Sequence, residues 1–300
     1  MKKLLCTLIL MGVALTVSAA DKLKVFASVP EWAALAKEIG GDRVEVFTAT
    51  QALQDPHHIE ARPSLIARAR NADVLIATGA DLEIGWLPLV LRESGNRAIQ
   101  PGQPGYFEAA AHVRMLEVPG KVDRADGDVH AAGNPHIQTD PRNLLAVATA
   151  FAATLSRLDP VAASIYAANA QRFDARMRAA IARWEQLAVP LRGMQVVVQH
   201  KSFSYLLAWL GMVEIGTLEP KPGIEPSPAH LSRLLAQSVQ RSPRAILRTP
   251  YNAPTAANWF AAQSKLPVLV LPFTVGGNAQ AGDLFALFDD TLTQLLKTVP

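Results

Sequence analysis

From Val161 to Ala188 the chain runs without a glycine or a proline, and Tyr166, Phe173, Met177, Ile181, Trp184 and Leu187 recur through it at helical spacing. Asp159 stands where an N-cap belongs and Pro160 at the first helical position, while Pro190 and Gly193 close the run. A helix of about 28 residues rising ~1.5 Å each is a rod of roughly 40 Å, as long as a small two-lobed protein. The sequence therefore predicts an N-terminal lobe over 21–157, a linking helix over 158–188 and a C-terminal lobe over 189–300.

Short apolar, β-branched runs alternate with helical patterns on both sides of the rod, which is the grammar of βα units and a parallel sheet. Strands are expected at Leu23–Ser28, Val44–Thr48 and Val74–Thr78, then at Gln195–Gln199, Met212–Gly216, Ala245–Arg248 and Val268–Leu271. Helices are expected at Glu31–Ile39 and from Pro63-Ser64 onward. The fold class is thus α/β, with a parallel-sheet lobe on either side of a long helix that runs the length of both or packs on one of them. No short repeat of fixed period is present.

Half of the residues are apolar and 18% are charged, a composition far from a disordered chain. The formal net charge is +3, and Arg172 to Arg183 carries its charges on one side of the predicted rod, so nothing points to nucleic acid. The first 20 residues read as a secretory leader: Lys2 and Lys3, an apolar run from Leu4 to Val17, then Ser18, Ala19 and Ala20. That run is shorter than a bilayer span. Cleavage after Ala19 or Ala20 removes Cys6, the only cysteine, and lowers the net charge to +1. Cys6 lies too early in the run to become a lipid-modified N-terminus. The expected product is a soluble, exported, unanchored protein without disulfides or thiolate metal sites.

Open parallel sheets bind ligands beyond the carboxyl ends of their strands, and three histidines lie where strands or proline-fixed segments end. His57 follows Gln54-Asp55-Pro56, His136 follows Gly133-Asn134-Pro135, and His200 directly follows Val196-Val197-Val198-Gln199. Asp140 can cap a helix starting at Pro141. With no cysteine, a transition-metal site must use imidazole and oxygen donors, and three imidazoles suit tetrahedral Zn²⁺. Separations of 79 and 64 residues match no local zinc motif, so spacing alone does not assign the site.

Asp55-Pro56-His57 ahead of Pro63-Ser64, Asn134-Pro135-His136-Ile137 ahead of Asp140-Pro141, His200 with Phe203 and Tyr205 behind it, and Glu225-Pro226-Ser227-Pro228 together resemble a known family. It is the zinc/manganese (ZnuA/TroA-like) solute-binding proteins of ABC importers. The resemblance covers essentially the whole chain after the leader. It implies two α/β lobes on one rigid helix, a metal ion in the cleft between them, and a membrane permease as partner. By the same resemblance His57 and His136 are the N-lobe ligands and His200 the first C-lobe ligand, and a histidine at the third position favours zinc over Mn²⁺. Imidazole chemistry points the same way.

The chain departs from the family at the fourth position, where Leu271-Pro272-Phe273 runs into Thr274-Val275-Gly276-Gly277 without an acid. Water, Glu219 and Asp283 are the candidate fourth donors. Glu60 reads as helix-start electrostatics, and His58, His112 and His230 as ordinary polar residues. Asp123, Asp126, Asp128 and His130 resemble a shortened form of an acidic, His-rich loop, and an ordinary polar loop is the simpler reading. Trp209 and Trp259 read as packing residues.

The function expected is high-affinity capture of a divalent transition metal by a monomeric, non-enzymatic carrier, with Zn²⁺ as cargo. Mn²⁺ or Fe²⁺ is the alternative within the family. A secreted zinc hydrolase and a binding protein for an organic solute are the rival classes.

Overall fold

The computed structural model describes residues 21–120 and 130–299, so the predicted leader and Asp123, Asp126 and Asp128 lie outside the described residues. Two four-stranded sheets, parallel throughout, organise the chain. The first contains β1 (Leu23–Ala27), β2 (Val44–Thr48), β3 (Val74–Ala77) and β4 (Tyr106–Glu108), in spatial order β2-β1-β3-β4. The second contains β5 (Gln195–Val198), β6 (Val213–Thr217), β7 (Ala245–Arg248) and β8 (Val268–Val270), in order β6-β5-β7-β8. Each lobe thus repeats one strand order although no sequence repeat betrays it. The chain reverses direction across the sheet beside β1 in one lobe and beside β5 in the other, and each reversal opens a crevice at the strand ends.

Seven of these strands match the sequence expectation to within a residue or two. β4 was not anticipated: three residues flanked by Pro104-Gly105 and ending in Glu108 carry no readable period. Helices α1 (Pro30–Gly40), α2 (Pro63–Arg70) and α3 (Leu87–Ser94) cover the first sheet. α6 (Ser204–Leu210), α7 (Pro228–Arg241), α8 (Thr255–Ser264) and α9 (Leu284–Leu296) cover the second.

Between the sheets lie α4 (Pro141–Leu158) and α5 (Ala163–Leu187), the predicted rod. At 25 residues α5 spans about 38 Å. Its start differs from the prediction. Pro160–Ala162 forms a 3₁₀ turn, and Asp159 caps nothing with its side chain; the carboxylate instead accepts from Arg43 Nη2 at 2.8 Å and Tyr166 Oη at 2.9 Å. A tertiary ion pair has outcompeted the local cap. Asp140, by contrast, caps α4 as predicted, accepting from the Arg142 amide.

The inward stripe of α5, with Tyr166, Phe173, Met177, Ile181 and Trp184 all buried, packs into one apolar cluster. That cluster also takes in Val25 and Ile76 of the first sheet and Val196 and Leu247 of the second. Trp209 belongs to it as well, whereas Trp259 is 39% exposed. The core therefore runs unbroken from one sheet, past α5, into the other.

A candidate metal centre between the sheets

His57, His136 and His200 converge in the crevice between the lobes. One ring nitrogen from each lies within 4.8 Å of the others, although the residues come from the loop after β2, the loop before α4 and the end of β5. Their ring centroids stand 5.3 Å apart for His57 and His136, 5.6 Å for His57 and His200, and 5.2 Å for His136 and His200. Imidazoles bound to one tetrahedral ion through ~2.0–2.1 Å Zn–N bonds stand about 5 Å apart, centre to centre.

The far nitrogen of every ring is anchored. Asp55 Oδ1 accepts from both the backbone amide (3.0 Å) and Nδ1 (2.7 Å) of His57. Asn134 Oδ1 does the same for His136, at 2.9 and 2.8 Å. In each case a short side chain two residues upstream, held by an intervening proline, clamps backbone and ring together. Asp-Pro-His and Asn-Pro-His are thus one local device; the sequence reading took from them the proline-fixed backbone and missed the ring anchors Asp55 and Asn134. The third anchor is not local, because His200 Nδ1 reaches Glu219 Oε2 at 2.8 Å across 19 residues.

A carboxylate can only accept, so Nδ1 of His57 and of His200 carries the proton. The Asn134 amide is fixed in the same sense, since its Nδ2 donates to Glu117 Oε2, the Lys201 carbonyl and Ser204 Oγ. Its oxygen is thereby turned to the ring. All three Nε2 atoms are left as bare lone pairs, and those of His57 and His136 are buried without a hydrogen-bond partner. Buried polar atoms without partners are uncommon, and a cation is what these can take. Burial, and after it the neighbouring His200, His57 and His130, hold His136 well below the usual imidazole range, which keeps it neutral as a ligand must be. Burial alone would raise Asp55, but the hydrogen bonds it accepts from the His57 ring and amide outweigh it and keep the carboxyl low.

The surroundings are close-fitting. Trp86 Nε1 donates to the Pro56 carbonyl at 2.9 Å, and a Cβ on Gly85 would come within 3.0 Å of the His57 carbonyl oxygen, so the His57 loop rests on a bare backbone. Tyr205 Oη donates to the Asn134 carbonyl at 2.8 Å and accepts from the Leu116 amide at 3.0 Å, tying α6 to the N-lobe loop. Lys201 Nζ meets Glu117 Oε1 at 2.7 Å across the same seam.

The candidate fourth donors fall away from the ring nitrogens. Glu219 stands behind His200, with Oε2 shared between Nδ1 and the Gly223 amide at 2.9 Å. Asp283 caps α9, accepting from the Phe285 and Ala286 amides at 2.8 Å, and faces a different hollow with Pro30 and Lys37. Among the described residues no carboxylate joins the three-histidine group. His58 is exposed, His112 stacks on Phe107 at 4.8 Å, His230 Nε2 pairs with the Thr217 carbonyl at 2.9 Å, and Glu60 is exposed ahead of α2. His130 is different: it lines the same cavity of about 210 Å³ as His136 and His200.

A family model described as zinc-uptake complex component A, periplasmic (ZnuA), matches residues 25–298. The chain belongs to the ZnuA family. Among relatives of this ZnuA-family protein, the manganese ABC transporter substrate-binding lipoprotein PsaA of Streptococcus pneumoniae is 23% identical over 73% of this chain and 69% of its own length. The high-affinity zinc uptake system protein ZnuA of Paracoccus denitrificans is 26% identical over 67% of this chain and 68% of its own. The iron ABC transporter substrate-binding lipoprotein MtsA of Streptococcus pyogenes is 23% identical over 75% and 71%.

A crystal structure of a ZnuA superposes with a TM-score of 0.78 at 22% identity, covering 93% of this chain and all of that one. The Pseudomonas aeruginosa protein FpvC, solved with Mn²⁺, gives 0.75 at 22% identity over 93% and 98%. This ZnuA-family protein is accordingly the metal-binding, periplasmic component of an ABC transporter, a class of binding proteins and not of enzymes. No helix among the described residues is long and apolar enough to cross a membrane.

Proposed function

We propose that this protein captures Zn²⁺ through Nε2 of His57, His136 and His200 and delivers it, as a soluble periplasmic monomer released from its leader, to the permease of an ABC importer. The observation that carries this reading is the set of three Nδ1–H groups, each pinned to an oxygen acceptor, which turns three Nε2 lone pairs toward one point. A donor set of imidazoles without a carboxylate suits Zn²⁺ and suits Mn²⁺ poorly, because the harder ion favours oxygen. Relatives named for zinc, manganese and iron make this a distinction within one family.

Binding here is preorganised. The anchors that fix each ring remove most of the ordering that an ion would otherwise impose. Release then requires the permease to strain this geometry or to compete for the ion. The test is elemental analysis of protein purified without chelator, followed by Zn²⁺ and Mn²⁺ titration of the stripped chain. One zinc per chain, with Mn²⁺ displaced by Zn²⁺ and retention lost on changing the three histidines to alanine, is the expected result. Retention unaffected by those changes, or preferential retention of Mn²⁺, overturns it.

A further inference from the structure

Glu117 stands where two halves of the histidine group meet. Lys201 Nζ donates to its Oε1 at 2.7 Å, and Asn134 Nδ2 and Ser204 Oγ donate to its Oε2 at 2.9 and 3.1 Å. Asn134, ahead of α4, anchors the His136 ring through its own Oδ1. Lys201 and Ser204 follow β5, and Lys201 is the residue directly after His200. One carboxylate therefore grips both the support of an N-lobe histidine and the turn that carries a C-lobe histidine.

The backbone there is over-determined. Glu117 has φ 53°, in the left-handed region, a costly conformation for a residue with a side chain. Its neighbour Leu116 is pinned on both sides: the carbonyl accepts from the Asn134 amide at 2.8 Å, and the amide donates to Tyr205 Oη at 3.0 Å. Gly133 leaves room for the segment, since a Cβ there would lie 2.7 Å from the Leu116 carbonyl oxygen. Strain of this kind persists only where the surroundings impose it.

Glu214, a second carboxylate beside Lys201, stands at 3.9 Å, beyond hydrogen-bond reach, so Glu117 is the direct partner. Burial alone would raise the Glu117 carboxyl, but hydrogen bonds from Lys201, Asn134 and Ser204 outweigh it and hold it below the usual carboxylate range. The Lys201 and Glu117 side chains keep 40% and 35% of their exposure, so water competes with the pair and lets it open without unfolding the chain.

We propose that Glu117 is a positioning residue for the metal site, a clasp that holds the His136 and His200 halves together and sets how long the ion stays; this rests on the zinc-capture reading above. Through Asn134 Nδ2 it keeps Oδ1 turned to His136, and through Lys201 it keeps the His200 turn against the N-lobe. Opening the clasp loosens both supports in one event. The first bond to an arriving ion does not need it, so its effect falls on dissociation and not on association.

The test uses the full chain loaded with Zn²⁺, with release followed in a stopped-flow mixer by transfer to an excess of chromophoric chelator. Glu117→Ala is expected to speed release about tenfold or more. Lys201→Met, which leaves Asn134 and Ser204 on the carboxylate, speeds it about threefold. Lys201→Arg keeps the cation and recovers most of the wild-type rate, while Arg178→Met, which breaks an exposed ion pair with Asp174 on α5, changes nothing. Sodium perchlorate raised from about 0.02 to about 0.5 M speeds release from the wild-type chain, a response that both clasp variants lose. A residue that served only packing would show neither the rescue by charge nor the salt response. Circular dichroism of the metal-free variants checks that the fold is kept. Wild-type release from Glu117→Ala and Lys201→Met overturns the proposal. So does release as fast from Lys201→Arg as from Lys201→Met, or an effect confined to association. Failure of the wild-type chain to take up Zn²⁺ overturns the capture reading itself, a result seen before any variant is made.

Discussion

His200 Nδ1 lies 2.8 Å from Glu219 Oε2, a contact that joins the end of β5 to the segment after β6. The Glu219 amide also donates to the Gln199 carbonyl at 3.1 Å, so backbone and carboxylate of one residue brace the strand end that carries the ring. Glu219→Ala is expected to lower zinc affinity by about 10- to 100-fold with the fold intact, and Glu219→Gln, which keeps an acceptor oxygen, to recover part of the loss. Competition titration on the two variants checks this.

Zinc is expected to stabilise the chain by linkage, by roughly 4 kcal/mol at a thousandfold excess over Kd. His136→Ala removes the most buried of the three rings, 1% exposed, and the zinc-dependent rise in melting temperature should vanish with it. Thermal scans with and without Zn²⁺ provide the measurement. A rise that survives His136→Ala would remove that ring from the site.

Glu31 is buried at the start of α1, hydrogen-bonded across the lobes to Thr274 Oγ1, and burial pushes its carboxyl up to about 7. The folded state therefore holds the Glu31 proton after the unfolded chain has lost it. Stability is full below pH ~4.5, declines as pH rises toward 7, and is flat above, a loss of about 3 kcal/mol from this group. Glu31→Gln, neutral at every pH, should flatten that decline, and denaturant unfolding of both chains between pH 5 and 8 reads it directly. Equal slopes in the two chains would refute the assignment.

Trp184 is fully buried on α5, with its ring 5.1 Å from that of Phe288 and its Nε1 donating to Asp289 Oδ1 at 2.6 Å. Trp184→Ala should cost about 3–5 kcal/mol, from the cavity and from the lost partner of Asp289. Denaturant midpoints measure the loss.

Where the sequence signal was local, it was legible. β-branched runs marked seven strands, a Gly/Pro-free period marked α5, and Asp140-Pro141 marked the start of α4. Tertiary competition hid the rest. Asp159 looks like a cap until Arg43, 116 residues away, takes its carboxylate. Glu219 and Asp283 look equivalent as acids near a strand end and a helix start. Only the folded chain shows one turned to His200 and the other spent on amide donors. His130 reads as a loop residue because nothing in the chain's order brings position 130 to position 57, and only the folded chain shows the two rings 5.5 Å apart.

The apolar cluster that passes from Val25 and Ile76 by way of α5 to Val196 and Leu247 also sets how the molecule comes apart. Two lobes with separate interiors would melt as two units. Here one face of each sheet packs into the cluster that holds the shared stripe of Tyr166, Phe173 and Met177, while the opposite faces keep smaller clusters of their own around Phe26 and Leu75 and around Val197 and Ile246. Heat should therefore unfold the chain in a single cooperative transition, with calorimetric and van't Hoff enthalpies in agreement, and an ion held at the seam raises the threshold for both halves at once.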